Sequence, residues 1–231
     1  MSPGTVCLQG GGEFSVGYRP LDAELVRAFD GPVVVTALAG AVGREYATAT
    51  ANGVRHYRQV GGDPVVGAPD VRTDPEGGLA AVRAARTIVL PGGSPSRLLD
   101  VLRSTPVGAA VIDLLASGGL VVGSSAGAMV LCGRLVLPDR LPGSGAVVDG
   151  LGCVPDVLVL PHWSGSRGRG EWLRAVAEGV PAGTQVLGVP EDAGIIVSGG
   201  VLRAAGQAPT RLVTAGRDLL PGEVQVLAAL A

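Results

Sequence analysis

The sequence predicts a single α/β domain with a doubly wound, mostly parallel sheet and antiparallel strands near the C-terminus. Three observations lead to this prediction: short continuous apolar runs, stretches with helical spacing between them, and a succession of short apolar runs without helices after residue 193. Apolar runs that are continuous rather than alternating are typical of strands buried on both faces. With 231 residues, the chain is long enough to bury one sizeable core.

The predicted strands are rich in valine, isoleucine and leucine and lie between turns of glycine and proline. They are residues 5–8, 32–38, 87–90, 120–123, 154–160 and 185–189. The predicted helices have apolar residues at helical spacing and are residues 21–29, 44–57, 96–103, 107–115 and 171–177. Because strands and helices alternate along most of the chain, we expect parallel strands joined by crossover helices.

Near the C-terminus the helices cease and short strands follow one another. Residues 194–197 and 201–205 flank a turn at Ser198-Gly199-Gly200, and residues 211–214 form a third short apolar run. This pattern predicts antiparallel strands at the edge of the sheet. No internal repeat, polar linker or shift of composition divides the chain, so we predict one domain over residues 1–231.

Composition and charge exclude several classes of function. The net charge is −2 and lysine and arginine form no run, which argues against nucleic acid or a membrane surface as a partner. No signal-like start or long apolar run is present, so we expect a cytoplasmic protein. The three cysteines are widely spaced without a metal-binding pattern, so we expect buried free thiols and no metal or organic cofactor. The apolar composition is compatible with a homodimer.

Ser125 is the candidate nucleophile. The predicted strand 120–123 runs into Gly123-Ser124-Ser125-Ala126-Gly127-Ala128, and apolar residues that could open a helix follow. This is the layout of a nucleophile elbow, a sharp strand-to-helix turn that needs small residues around the serine. The alternative is a small-residue turn that only lets a helix pack closely on a strand.

A serine nucleophile needs a neighbouring base, and the chain offers two histidines. His56 lies in a predicted amphipathic helix among charged neighbours, so we expect a solvated surface imidazole. His162 follows strand 154–160 and Pro161, where a buried strand emerges into a loop. Sites in open α/β sheets form at this end of the strands, so His162 is the candidate base. A structural histidine at the strand end is the alternative.

Glu191 is the candidate group to orient the imidazole, since strand 185–189 delivers it through Pro190 to the same kind of strand end. Asp192, Asp139 and Asp149 compete for this role. Asp139 and Asp149 lie in sequence rich in glycine and proline, where solvated turn carboxylates are the ordinary explanation.

Two glycine clusters follow predicted strands. Gly92 and Gly93 come after strand 87–90, and their N–H groups could form an oxyanion hole together with that of Ala126. The other cluster is Gly10-Gly11-Gly12, but Ser15 stands where a dinucleotide motif has its third glycine. A nucleotide site there is therefore disfavoured.

Taken in order, four segments resemble peptidase family S51, the serine peptidases of dipeptidase E and cyanophycinase. The segments are Pro91-Gly92-Gly93, residues 123–128, residues 160–163 and residues 187–191. The resemblance implies a class I glutamine-amidotransferase-like fold, with flavodoxin-like three-layer architecture, and a triad of Ser125, His162 and Glu191. It also implies that the turn at Gly92 and Gly93 contributes to the oxyanion hole.

The resemblance further implies that Arg169 lies near a substrate carboxylate, with Arg167 and Arg174 as close rivals. Ser94 after the glycine pair and Trp163, where the family more often has phenylalanine, depart from the pattern and bear on substrate preference. We therefore predict Arg169, Trp163 and Ser94 as substrate-binding residues. The implied substrate is a short peptide with an aspartyl residue on the acyl side, or a β-aspartyl or otherwise modified peptide.

Other functions remain compatible with these residues. The same triad could transfer an acyl or peptidyl group to an amine in a biosynthetic tailoring step. The fold could also serve as a binding module without catalysis. A glutamine amidotransferase is disfavoured because its nucleophile is a cysteine, whereas Cys132 lies seven positions after Ser125.

Overall fold

The computed structural model of the protein describes residues 4–137, 146–163 and 169–227, with the side chains of Arg169 and Glu171 outside that description. The strands are β1 (Thr5–Gln9), β2 (Val33–Val35), β3 (Val65–Gly67), β4 (Thr87–Leu90), β5 (Leu120–Ser124), β6 (Cys132–Leu137), β7 (Ala146–Asp149), β8 (Val154–Leu160), β9 (Gln185–Gly188), β10 (Ala193–Ser198), β11 (Val201–Gly206), β12 (Thr210–Leu212), β13 (Arg217–Leu219) and β14 (Val224–Val226). The α-helices are α1 (Arg19–Ala28), α2 (Arg44–Gln59), α3 (Pro75–Arg83), α4 (Pro95–Ser104), α5 (Val107–Ala116), α6 (Ala126–Leu131) and α7 (Arg169–Gly179).

These strands form two sheets. The first has eight strands in the order β14-β11-β10-β1-β5-β4-β2-β3, and the second has six in the order β13-β12-β9-β8-β6-β7. In the first sheet β1, β5, β4, β2 and β3 are parallel, and β10, β11 and β14 continue it in antiparallel fashion. The predicted α/β fold class with antiparallel C-terminal strands is therefore confirmed.

One expectation about the sheet is wrong. The predicted strands 154–160 and 185–189 do not join the central sheet, because β8 and β9 lie in the second one. The cause is the length of α6, which has six residues and passes directly into β6 at Cys132. A crossover that returns a strand to its own sheet needs about ten residues or more, so this helix delivers the chain to a new sheet.

The cores follow from the alternation of side chains along each strand. In β1, Val6 and Leu8 pack into a large core with α3–α6 and the inner face of the second sheet. Cys7 faces the opposite way, into a second core covered by α1 and α2. Helix α7 packs with a third cluster on the outer face of the second sheet. Among the described helices, none is long and apolar enough to cross a membrane.

The prediction of a surface position for His56 is wrong. Its side chain is 3% exposed, and Nε2 lies 2.7 Å from Oδ2 of Asp22, which is 1% exposed. The other oxygen of Asp22 accepts hydrogen bonds from Gln9 Nε2 at 2.7 Å and from the Tyr57 hydroxyl at 3.3 Å. The charged neighbours of His56 indicated exposure, but a buried carboxylate supplies the partner that a buried imidazole needs.

We expect Asp22→Ala to lower the free energy of unfolding by about 3 kcal/mol, because it leaves His56 and Gln9 buried without their acceptor. Urea denaturation followed by circular dichroism measures this loss. Asp113→Ala, on an exposed position of α5, is the matched control and should change the free energy by no more than about 0.5 kcal/mol. Equal effects of the two substitutions would contradict a fully formed buried network.

Candidate active site

The structure brings the three predicted catalytic residues together at the ends of strands from both sheets. Ser125 directly follows β5, His162 comes two residues after β8, and Glu191 lies between β9 and β10. Ser125 Oγ lies 3.0 Å from His162 Nε2, and His162 Nδ1 lies 2.8 Å from Glu191 Oε1. This is the hydrogen-bonding order of a nucleophile, a base and an acid that orients the base.

Ser125 has the strained backbone of a nucleophile elbow. Its φ is 49° and its ψ is −108°, a conformation that costs a residue with a side chain of order 1–3 kcal/mol. A Cβ on Gly123 would lie 2.6 Å from the carbonyl carbon of Gly127, and one on Gly127 would overlap the carbonyl oxygen of Leu90. Small residues are therefore a steric requirement of this turn.

Backbone hydrogen bonds from the end of β1 hold the nucleophile and the base. The Ser125 N–H donates to the Gln9 carbonyl at 3.0 Å, and the His162 N–H donates to the next carbonyl, that of Gly10, at 2.7 Å. The Gly10 N–H in turn donates to the Ala193 carbonyl at 3.1 Å, just beyond Glu191. One short segment thus joins the three strand ends that carry the triad.

The glycines after β1 pack directly against the triad. A Cβ on Gly11 would overlap the imidazole of His162, and one on Gly12 would lie 3.3 Å from Glu191 Oε2. Both have positive φ, 117° and 70°, which glycine adopts without strain. The glycine cluster that resembles part of a dinucleotide motif therefore leaves space for the imidazole of His162.

Two of the other carboxylates considered for the acid, Asp192 and Asp149, have partners other than His162. Asp192 accepts a hydrogen bond from Ser15 Oγ at 2.6 Å. The Asp149 side chain is 69% exposed and pairs with Arg134. Asp139 lies outside the described residues. Among Asp149, Asp192 and Glu191, it is Glu191 whose side chain lies within hydrogen-bonding distance of His162.

The His162 and Glu191 side chains are open to solvent, with exposed fractions of 44% and 56%. In such a place water and salt weaken the attraction between the two groups. A bound substrate would cover them and strengthen it. The site is therefore open to solvent in this structure.

Two of the predicted oxyanion-hole residues, Gly92 and Ala126, lie next to Ser125. A Cβ on Gly92 would lie 3.2 Å from Ser125 Cβ, so Gly92 borders the nucleophile directly. Gly93 has φ 143°, and a Cβ there would lie 2.7 Å from the carbonyl oxygen of Ala39. Ala126 is the first residue of α6, where N–H groups have no acceptor within the helix.

No sequence pattern indicated Glu13, which contacts Gly92 of the predicted oxyanion hole. Its Oε1 accepts a hydrogen bond from the Gly92 N–H at 2.8 Å, and its Oε2 accepts one from Ser124 Oγ at 3.2 Å. Glu13 directly follows the glycine cluster Gly10-Gly11-Gly12, for which the sequence suggested no role other than nucleotide binding. The parallel pairing of β1 with β5 brings this loop next to the serine.

Of the predicted substrate-binding residues, the structure describes the side chains of Ser94 and Trp163 but not that of Arg169. Ser94 precedes α4, and its Oγ accepts a hydrogen bond at 3.3 Å from an N–H in the first turn of that helix. The Trp163 indole packs against Gly188 and a core cluster. Arg169 begins α7 with its side chain outside the description, and Arg167 lies outside the described residues. Their roles in substrate binding stay predictions.

The cysteines are free thiols in the structure, and Cys7 and Cys132 are buried. Burial raises the pKa of the Cys7 and Cys132 thiols well above the usual value and that of Cys153 to about 12. These groups are therefore protonated and poor nucleophiles near neutral pH. Over residues 4–137, 146–163 and 169–227, no three or more histidine, cysteine, aspartate or glutamate side chains converge as metal ligands would.

Comparison with known proteins assigns the family. Residues 41–205, well over half of the chain, match the model of peptidase family S51. The chain belongs to peptidase family S51. The matched region of this S51 protein contains Ser125, His162 and Glu191, and it leaves out the segment from β1 to Glu13.

Curated relatives and solved structures agree with the S51 assignment. Peptidase E of Escherichia coli and of Shigella boydii is 29% identical over 158 residues, which are 63% of this chain and 66% of the relative. The match thus spans slightly less than two thirds of those relatives.

A peptidase from an acI-B1 Actinobacterium superposes with a TM-score of 0.80 at 23% identity, covering 97% of each chain. A structure from Listeria monocytogenes gives 0.65 at 17% identity, covering 90% of this chain and 100% of that one. The likeness confirms the fold.

We expect Gly11→Ala to slow the modification of Ser125 by a fluorophosphonate probe about 100-fold, because the new methyl group displaces the His162 ring. The rate is measured by intact mass. Gly61→Ala is the matched control: Gly61 also has a positive φ, of 98°, but a Cβ there would meet nothing within 4 Å. It should keep the wild-type rate despite similar backbone strain. Equal rates in both variants would contradict the contact.

Thiol modification gives a second expectation. Because the thiol pKa values are raised, the thiolate fraction stays small until the pH approaches those values. N-ethylmaleimide at pH 7 should therefore leave the rate of fluorophosphonate modification within about twofold of the untreated protein. Unfolding in urea should expose all three thiols to the reagent. Inactivation of the native protein in step with alkylation would contradict a serine nucleophile.

Proposed function

We propose that this protein is a serine peptidase in which Ser125 attacks a peptide carbonyl, His162 accepts its proton and Glu191 orients the imidazole. The observation that supports this proposal is the continuous chain of hydrogen-bonding distances, 3.0 Å and 2.8 Å, from Ser125 Oγ to Glu191 Oε1. Membership of a peptidase family and the elbow geometry of Ser125 support it independently.

The proposed mechanism depends on the tautomer of His162. Glu191 accepts a hydrogen bond from a protonated Nδ1, which leaves Nε2 free to accept the proton of Ser125 Oγ. As Oγ bonds to the carbonyl carbon, its proton passes to Nε2, and Glu191 stabilises the imidazolium. His162 then gives this proton to the leaving amine. Water, deprotonated by the same imidazole, hydrolyses the acyl-enzyme and regenerates Ser125.

The negative charge that develops on the carbonyl oxygen needs donors beside Ser125. We assign this role to the N–H groups of Gly92, Gly93 and Ala126. Gly92 borders Ser125, Gly93 adopts a turn conformation that suits glycine, and Ala126 starts the helix that follows the nucleophile. No step of this mechanism requires a metal ion or an organic cofactor.

The proposed substrates are short peptides with an aspartyl residue on the acyl side, or β-aspartyl and otherwise modified peptides. The relatives named Peptidase E support a peptide substrate. In this proposal Arg169 pairs with a substrate carboxylate, which a guanidinium can bind through two parallel hydrogen bonds. Ser94 and Trp163 would border the same substrate. Transfer of the acyl group to an amine is the second candidate, because the solvent-exposed triad leaves room for an acceptor other than water.

We expect Ser125→Ala and His162→Asn to lower peptidase activity about 10⁴-fold or more, and Glu191→Gln to lower it about 10²-fold or more. The assay combines fluorophosphonate modification, followed by intact mass, with hydrolysis of a panel of Asp-Xaa and β-aspartyl dipeptides. A new amide among the products would identify acyl transfer, whereas free amino acids identify hydrolysis.

Ser117→Ala, at the exposed end of α5, is the matched control for the loss of a serine hydroxyl. It should keep wild-type labelling and hydrolysis. A folded wild-type protein that neither reacts with the probe nor cleaves any peptide would favour the binding module without catalysis. Persistent labelling of Ser125→Ala would show that another residue is the nucleophile.

A further inference from the structure

Glu13 is held rigidly beside the nucleophile. The next residue, Phe14, has a positive φ of 67°, and its ring packs against His56 with 5.5 Å between ring centroids. Ser15 then donates a hydrogen bond to Asp192 at 2.6 Å. The backbone of Glu13 is therefore held on both sides. After it come the contact of Phe14 and the hydrogen bond of Ser15, and before it come the glycines that pack against His162 and Glu191.

The Glu13 carboxylate and the Ser125 side chain both lie next to Gly92, close to the position that a Cβ on this glycine would take. A Cβ on Gly92 would lie 2.9 Å from Glu13 Oε1 and 3.2 Å from Ser125 Cβ. The hydrogen bond from the Gly92 N–H, 2.8 Å long, ties the carboxylate to this position. The Glu13 carboxylate therefore lies near Ser125 and accepts a hydrogen bond from one of the N–H groups that the proposed mechanism assigns to the oxyanion.

This arrangement conflicts with attack on an uncharged acyl group. When the Gly92 N–H turns to the carbonyl oxygen, Glu13 loses a donor and a second negative charge develops next to it. Like charges close together repel, and a half-buried carboxylate that loses its shorter hydrogen bond and keeps only the one from Ser124 Oγ, at 3.2 Å, is less well stabilised. A cation on the substrate, close to the carbonyl, removes both penalties. The α-ammonium group of a peptide's first residue is such a cation, because it is bonded to the carbon next to the carbonyl.

We propose that Glu13 determines specificity by binding the free α-ammonium group of the residue whose carbonyl Ser125 attacks. This inference rests on the proposed peptidase function. The bound ammonium donates a charge-assisted hydrogen bond to the Glu13 carboxylate in place of the Gly92 N–H. The Gly92 N–H is then free to donate to the carbonyl oxygen of the substrate. The enzyme then cleaves after the first residue of a peptide and discriminates against blocked N-termini.

The test compares each peptide with its N-acetyl form at pH 7, where an α-amino group with a pKa of about 7.7–8.0 is mostly protonated. Dipeptides with Asp, Ala and Lys as first residues are hydrolysed by wild type, Glu13→Gln and Glu13→Asp. We expect wild type to prefer the free amine about 100-fold in kcat/KM. Glu13→Gln should lower kcat/KM for free-amine peptides by that factor without lowering it for the acetylated ones. Glu13→Asp keeps the charge and should keep part of the preference.

A neutral fluorophosphonate separates this role from a structural one. It should modify Ser125 in Glu13→Gln at least as fast as in wild type, because no carboxylate then competes for the Gly92 N–H. Glu223→Gln is the matched control: its Oε2 accepts the Leu220 N–H at 2.8 Å in a surface turn, and its loss should change neither rate nor preference.

Four results would overturn the assignment of Glu13. The first is an unchanged preference for the free amine in Glu13→Gln, and the second is an equal fall in rate for free peptides, acetylated peptides and the probe. The third is a wild type that reacts with the probe but cleaves no free-amine peptide. Glu13-dependent cleavage of N-acetyl-Lys peptides would assign the carboxylate to a side-chain cation instead and would also overturn it. Failure of the proposed function looks different, because the probe would then not modify Ser125 in any variant.

Discussion

Two consecutive backbone carbonyls at the end of β1 organise this molecule. Gln9 and Gly10 accept the N–H groups of Ser125 and His162, which belong to different sheets. The side chain of Gln9 reaches the other way and donates to Asp22 in the buried network with His56. The strand end is therefore fixed from the core side and in turn fixes the distance between nucleophile and base.

Local patterns predicted the long elements and failed where the pattern was short or broken. Continuous apolar runs lie in β1, β4 and β5 and over residues 157–160 of β8, and the positions of these strands followed from the sequence. Asp74 caps helix α3, and its side chain accepts the Gly77 N–H at 2.9 Å, but two glycines inside the helix hid its spacing. The division into two sheets depends on where α6 ends, and the apolar residues around Cys132 are compatible with either a helix or a strand.

The proximity of Ser125, His162 and Glu191 was predictable because each lies shortly after the end of a strand, and strand ends gather at one edge of a sheet. Glu13 and the contact of Gly11 with His162 depend on which strands are neighbours, and no local motif encodes that. His56 was misplaced for a related reason. Its burial depends on Asp22, 34 positions earlier in the chain, rather than on the charged residues beside it.

The strained backbone at Ser125 sets function against stability. A φ of 49° with a ψ of −108° suits glycine far better than serine. A glycine at this position would relax the turn, fit the space and remove the reactive hydroxyl in a single substitution. The chain therefore keeps a side chain where glycine would be less strained, as the proposed role of Ser125 requires.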